Sequence, residues 1–419
     1  MAQLSDDAFA FGGSLMTVAE ARELFFVRLS PVVETERVAL AQADGRVLAQ
    51  DIVSPLPLPP FDNSAVDGYA VRFDDLAASG ETRLPIAGRL AAGTAAASEP
   101  APGAAVRIFT GAPMPPGFDT VFMQEDVQVE ADTVVLPGGL ARGANRRLAG
   151  EDLPEQGMAH TAGRRLTPTD VALIGALGIA DVAVRRRLRV GVFSTGDEVV
   201  EPGQPLGPAK LYDANRFMLL ALLGRLGCAA SDLGILPDEP SALTDALAAA
   251  AAEHDLLITS GGVSTGEEDH VKRALEAAGA LTFWRVGIKP GRPVAMGVVR
   301  GAAVIGLPGN PVAAFVTFVQ LARPLIARLT GEEFQAPLAV LVRSGFAYRK
   351  KEGRREYVRV RLEPHLDGSL MAHKHPREGA GVITSLTETH GLVELPEQLT
   401  QLVPGDSVGF LPYAALIGG

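Results

Sequence analysis

Residues 255–269 read DLLITSGGVSTGEED. Leu256 to Thr259 form a short run bounded by turn residues, which reads as a buried strand. Gly261 and Gly262 then let the backbone turn tightly and approach a ligand. Ser264 and Thr265 add hydroxyl donors, and Glu267, Glu268 and Asp269 open a helical run. Backbone N–H groups beside carboxylates suit a phosphate held together with a divalent cation.

The same strand–turn–helix rhythm extends to both sides. RRLRVGVFSTGDE (186–198) is a strand leading to an acidic turn. DANRFMLLALLGRLG (213–227) is a helix, AASDLGILPD (229–238) a strand, and SALTDALAAAAAEH (241–254) a helix. EDHVKRALEAAG (268–279) is a helix, TFWRVGIKPGRP (282–293) contains a strand, and AAVIGLPGNP (302–311) carries a last strand into the helix 311–329. Strands alternating with helices at this spacing predict a doubly wound, mostly parallel sheet, with ligands beyond the carboxyl ends of its strands. The TGDE, SGGVSTGEED and LPGNP segments all fall there, so they are expected to converge.

Outside this region the pattern changes. Residues 17–30 read as an amphipathic helix with Thr17 as N-cap and Glu20 completing a capping box. A proline-rich linker follows at 54–71, and 68–150 shows short alternating segments between Gly and Pro, a β-rich domain. TPTDVALIGALG (167–178) is helical, and 337–419 returns to short strands as a second β module. The expected division is a small linking α/β domain (37–55 and 156–178) and a β-rich domain (56–155). A doubly wound α/β domain (17–36 and 179–336) and a C-terminal β-barrel-like domain (337–419) complete it.

Composition narrows the function. The 419 residues are 47% hydrophobic but only 5% aromatic, which leaves few stacking platforms for single-stranded nucleic acid. A net charge of -11 makes the chain a poor general binder of DNA or anionic membranes. Cys228 is the single cysteine, so neither an intrachain disulfide nor a thiolate cluster can form; it reads as a small core residue. No basic-then-apolar leader opens the sequence, and the longest apolar run, Val312 to Leu329, is interrupted by Arg323 and Pro324. A cytoplasmic location, with neither nucleic acid nor membrane as partner, is the expectation.

Each chemistry-bearing segment has two readings. Asp197 and Glu198 cap a helix or share a Mg²⁺ with the second acidic turn. Asn310 and Pro311 open a helix whose N-terminus, relieved by Gly309, can also hold an anion. Arg285, Lys289 and Arg292 are a solvated basic edge or the counter-charge to an oxyanion. Asp62, Asn63, Ser64, Asp67, Arg146, Arg147, Glu151 and Asp152 line two polar crossings between domains: linkers, or half of a site. His373 and His375 read as a surface pair, and His270 as a neighbour of the acidic turn.

FDNSAVDGYAV, IFTGAPMP, RRLAGEDL, STGDE, SGGVSTGEED, IKPGRP and GLPGNP stand in the order found in molybdopterin molybdenumtransferases, and the chain resembles that family from about residue 14 to near its end. The resemblance implies the last step of molybdenum cofactor assembly. Adenylylated molybdopterin and molybdate give the cofactor and AMP, assisted by Mg²⁺. It implies a homodimer whose site lies between the doubly wound domain of one subunit and the β-rich domain of the other. Further contacts would be with the adenylyltransferase and with recipient molybdoenzymes or their chaperones. Carried onto this chain, Asp67, Asp152, Glu198, Asp238 and Asp269 are the catalytic candidates, with Glu198, Asp238 and Asp269 as metal ligands. Thr110, Arg147, Arg285, Lys289 and Arg355 would bind substrate. So would the turns Ser260, Gly261, Gly262 and Ser264, and Pro308, Gly309 and Asn310. Val66 stands where methionine is common, and Arg285 where a lysine is usual. A molybdopterin adenylyltransferase shares the SGGVS segment but has no use for the two β modules. A scaffold of the gephyrin kind is the third reading, and the retained acidic motifs speak against it.

Overall fold

The computed structural model describes residues 4, 15–94, 100–236, 239–261, 277, 279–291, 293–365 and 367–418. The chain forms two compact units. The larger comprises residues up to Ala49, Gly163–Thr167 and everything from Asp181 on; the smaller comprises Gln50–Ala162 and Pro168–Ala180.

The larger unit contains a six-stranded sheet. Its order is Ala229–Ile235, Arg189–Ser194, Leu256–Ser260, Ala302–Leu307, Pro293–Val299, Gly279–Arg285. The first four strands are parallel, and Pro293–Val299 pairs antiparallel with both of its neighbours, so it alone runs in the opposite direction. The period-two rule assigns neighbours to opposite faces. Val190, Val192, Leu256, Ile258 and Ile305 join the helices Val18–Arg28, Asn215–Arg225 and Arg323–Thr330 in one core. Phe193, Leu257 and Val304 pack instead against Leu243, Leu247 and Ala251 of the helix Pro240–Glu253. Helices therefore cover both faces, as the near-continuous apolar strands require. The capping box at Thr17 forms as expected, and Phe25 of that helix stacks on Trp284 with ring centroids 5.4 Å apart.

The apolar run from Pro311 is helical through Thr330; by length and composition alone it could cross a membrane, but it is mostly buried in the core. Arg323 and Pro324 do not break it. A π-helical stretch, Phe318–Ala322, absorbs the proline. Pro324 has no N–H to give the Gln320 carbonyl four residues back, and the Arg22 Nε donates to that oxygen instead at 3.0 Å. Cys228 packs against the same core. Burial pushes its thiol up to about 12, so almost no thiolate exists at neutral pH. A thiol-reactive probe should label the protein only after denaturant is added; stoichiometric labelling of the native protein within minutes would contradict this packing.

The C-terminal strands form a closed five-stranded barrel. Arg355–Pro364, Leu370–Lys374, Val340–Ser344, Ser407–Pro412 and Gly391–Leu395 pair in sequence, and Gly391–Leu395 returns to Arg355–Pro364. A sixth, two-residue strand joins it from elsewhere in the chain. Ile288–Lys289 lies parallel to Arg355 and Glu356, with Lys289 opposite Glu356. The smaller unit is β-rich: its sheet runs Thr120–Met123, Gly68–Val71, Ala105–Ile108, Thr82–Leu90, Thr133–Leu136, Gln128–Glu130.

Candidate active site

Three parallel strands end level. Ser194 is the register partner of Ser260, and Ser260 of Leu307. Their outgoing turns therefore emerge side by side, and Glu198, Gly261, Pro308, Gly309 and Asn310 line one cavity of about 740 Å³. Gly261 has φ +96°, a left-handed conformation that favours glycine. Asn215, which opens the helix Asn215–Arg225, ties these turns together. Its amide donates to Ser260 Oγ at 2.8 Å and to the Gly309 carbonyl at 2.7 Å. Ser260 Oγ donates on to the Pro308 carbonyl at 3.0 Å.

Asn310 occupies the N-cap position of the helix beginning at Pro311, but its side chain makes no capping bond. The expectation of an Asn310 cap is corrected by what the C-terminal module does. The Ala380 carbonyl accepts the Val312 N–H at 2.9 Å, filling the place a capping side chain would take.

The rest of the lining comes from the C-terminal module: Tyr348, Glu356, Arg359, Lys374, His375, Arg377. Glu356 is 1% exposed and sits at the centre of a polar cluster. Its Oε2 accepts Lys289 Nζ at 3.0 Å and Tyr348 Oη at 2.9 Å, while Lys289 and Tyr348 are 3.2 Å apart. Burial alone would lower the Lys289 pKa, but the Glu356 carboxylate and the Tyr348 hydroxyl outweigh it and raise it above the usual lysine value. Lys374 Nζ lies 5.6 Å from the centroid of the Tyr348 ring. Arg359 is buried; its Nη2 donates to the carbonyls of Arg377 and Gly379, and its Nε has no partner among the described residues. His375 is buried as well, with Nε2 2.9 Å from Glu388. The surface-pair expectation thus fails for His375, which is buried, while His373 is half-buried.

Two basic candidates lie elsewhere. Arg355 does not line the cavity: Glu394 and Glu397 hold its guanidinium at 3.0 to 3.1 Å. Arg359, four residues on in the same GRREYVR segment, does line it. Arg285 is exposed at the end of its strand and is not among the lining residues. Asp238, Gly262, Ser264 and Asp269 lie outside the described residues. Among the described residues no set of three acid, His or Cys side chains could hold a metal ion. Glu198 supplies hard oxygen donors of the kind Mg²⁺ takes, and its carboxylate folds over Gly196, where an added Cβ would stand 2.5 Å from Oε2.

In the smaller unit the polar crossings do meet. Asn63–Ser64 pairs antiparallel with Arg146–Arg147. Asp67 Oδ1 accepts the Thr110 N–H at 2.8 Å and its hydroxyl at 2.7 Å, bonds that hold the Asp67 carboxyl below its usual pKa. Arg147 pairs with Glu151 at 2.6 Å, and Asp152 is exposed.

Glycine-rich turns at the carboxyl edge of a parallel sheet, sharing one cavity with polar side chains of the C-terminal module, make the site of an enzyme with a small-molecule substrate. Known proteins give the same class and a narrower one. Residues 16–178 match the MoeA N-terminal region (domain I and II), 191–328 a probable molybdopterin binding domain, and 342–413 the MoeA C-terminal region (domain IV). The molybdopterin molybdenumtransferase of Haemophilus influenzae is 39% identical over 406 residues, covering 96% of this chain and 100% of that protein. That of Nostoc sp. is 36% identical, covering 91% and 89%. The molybdopterin biosynthesis moeA protein of Pyrococcus horikoshii superposes with a TM-score of 0.81 at 30% identity, over 96% of this chain and 100% of that one. The chain belongs to the molybdopterin molybdenumtransferase family, transferases of molybdenum cofactor biosynthesis.

Proposed function

We propose that this chain inserts molybdate into adenylylated molybdopterin and releases AMP. The observation that supports it most is the two-sided cavity. Turns at level strand ends stand on one side; Lys289, Arg359, Lys374 and Arg377 bring positive charge on the other. The Gly261 and Pro308–Asn310 turns would hold the pterin phosphate by backbone N–H groups. Lys289 and Arg359 would receive molybdate and offset the charge that accumulates as two anions meet. Water would attack the phosphoanhydride phosphorus and break its P–O bond so that AMP leaves, and the two dithiolene thiols would bind molybdenum as one molybdate oxygen departs as water with both thiol protons. Mg²⁺, when bound, would be held by Glu198 with Asp238 and Asp269 and would screen the phosphate charge. Asp67, Thr110, Arg147 and Asp152 would act from the partner copy of a homodimer, positioning the adduct or a proton. We retain with this reading the doubly wound description, the four-domain division and a cytoplasmic location.

The test is AMP release from purified adenylylated molybdopterin. Release should require molybdate and Mg²⁺ and should yield the molybdenum cofactor. Release at the same rate without molybdate would defeat the proposal. Formation of the adduct from ATP and molybdopterin would favour the adenylyltransferase reading instead.

A further inference from the structure

We infer that Glu356 and Tyr348 of the C-terminal module are positioning residues, which hold the Lys289 ammonium at the point in the cavity where the incoming oxyanion docks. The inference rests on the proposed role of Lys289 and goes beyond it by assigning work to two side chains that act through that lysine.

Lys289 follows directly on the α/β sheet in sequence, yet its backbone belongs to the barrel. Only two residues, Ile288 and Lys289, pair with Arg355 and Glu356. Residues paired on neighbouring strands stand side by side, close enough for their side chains to interact. Register therefore delivers the carboxylate to the ammonium. Glu356 is enclosed and cannot turn away, whereas the Lys289 side chain is 49% exposed and would otherwise sample many rotamers. Tyr348 bonds both partners, so the lysine is held from two sides. Arg354 stands 3.6 Å from the second Glu356 oxygen, which leaves Oε2 to Lys289 and Tyr348. An isolated buried carboxylate would be costly; here three donors or cations surround it.

The experiment measures molybdate-dependent turnover of the full-length enzyme carrying Glu356→Gln, Glu356→Asp, Tyr348→Phe, Lys289→Met and the double substitution Lys289→Met with Glu356→Gln. Glu356→Gln should raise the KM for molybdate about tenfold with kcat little changed, the scale of a coupled neighbour. Tyr348→Phe should raise it about threefold, and Glu356→Asp should recover part of the loss. In the Lys289→Met background, Glu356→Gln should cost nothing further in kcat/KM. A purely structural Glu356 would lower the melting temperature and leave that KM unmoved. If Lys289→Met lowers kcat/KM but Glu356→Gln leaves the KM alone, or the two effects simply add, the positioning role is overturned while the reading of Lys289 stands. If Lys289→Met itself leaves kcat/KM unchanged, the assignment of Lys289 falls and the inference with it.

Discussion

Replacing Lys289 with methionine is expected to slow molybdate-dependent AMP release by about 10²–10³-fold, the usual cost of removing one preorganised donor aimed at developing charge. Methionine keeps most of the apolar stem and removes the charge, so the cavity's shape changes little. The ammonium cannot easily be replaced by a neighbour. Arg355 is committed to Glu394 and Glu397, and the Lys374 side chain already pairs with Glu378. Removing Lys289 also leaves Glu356 facing Tyr348 and Arg354 alone, so some loss of thermal stability should accompany the loss of rate. Adding Glu356→Gln should restore that stability without restoring turnover. Single-turnover measurements at saturating adduct would check the claim, and a rate within about threefold of the parent would refute it.

The largest effect on stability is expected at Arg216. Its side chain is 2% exposed, and Nε donates to Asp213, itself 3% exposed, at 2.9 Å. The two Nη groups pair with Asp232 and Glu201. One guanidinium thus joins the strand Ala229–Ile235, the segment after the acidic turn and the first turn of the helix that carries Asn215. Arg216→Met should cost about 3–5 kcal/mol, because it strands a buried carboxylate. Asp213→Asn in the same chain should recover part of it. Urea denaturation reads the difference directly; a change below about 1 kcal/mol would mean that Asp213 finds water or another partner. Since Asn215 is the preceding residue, the surviving folded protein should also bind the adduct less well.

The sheet was legible because its signals are local. Apolar runs end in Gly or in Asn-Pro, each helix follows within a few residues, and the parallel rule then places the turns at one edge. Asp67 and Thr110 meet as a bonded pair although 43 residues separate them; motif order, not periodicity, singled them out. What remained hidden depends on distant register. Nothing in GIKPGRP says that two of its residues leave one sheet for another, since so short a strand carries no alternation. Glu356 lies 67 residues further on, so no window along the chain could have joined it to Lys289. Arg216 sat in a helical run where an arginine is usually solvated; its burial follows from Asp213 at the start of that run and from carboxylates on two other segments. His375 lies just past the end of the strand that carries His373, where it is buried beside Glu388, and nothing in the alternation of the two histidines foretells that.

The short strand at Ile288–Lys289 also bears on how relatives could be recombined. A chimera that exchanges the last eighty or so residues would break between the sheet and the barrel at the natural seam in sequence, but not in space. The lysine would then come from one parent and its carboxylate and phenol from the other. Crossovers that carry residues 286–291 along with the donor's barrel should yield active hybrids more often than crossovers placed after residue 336.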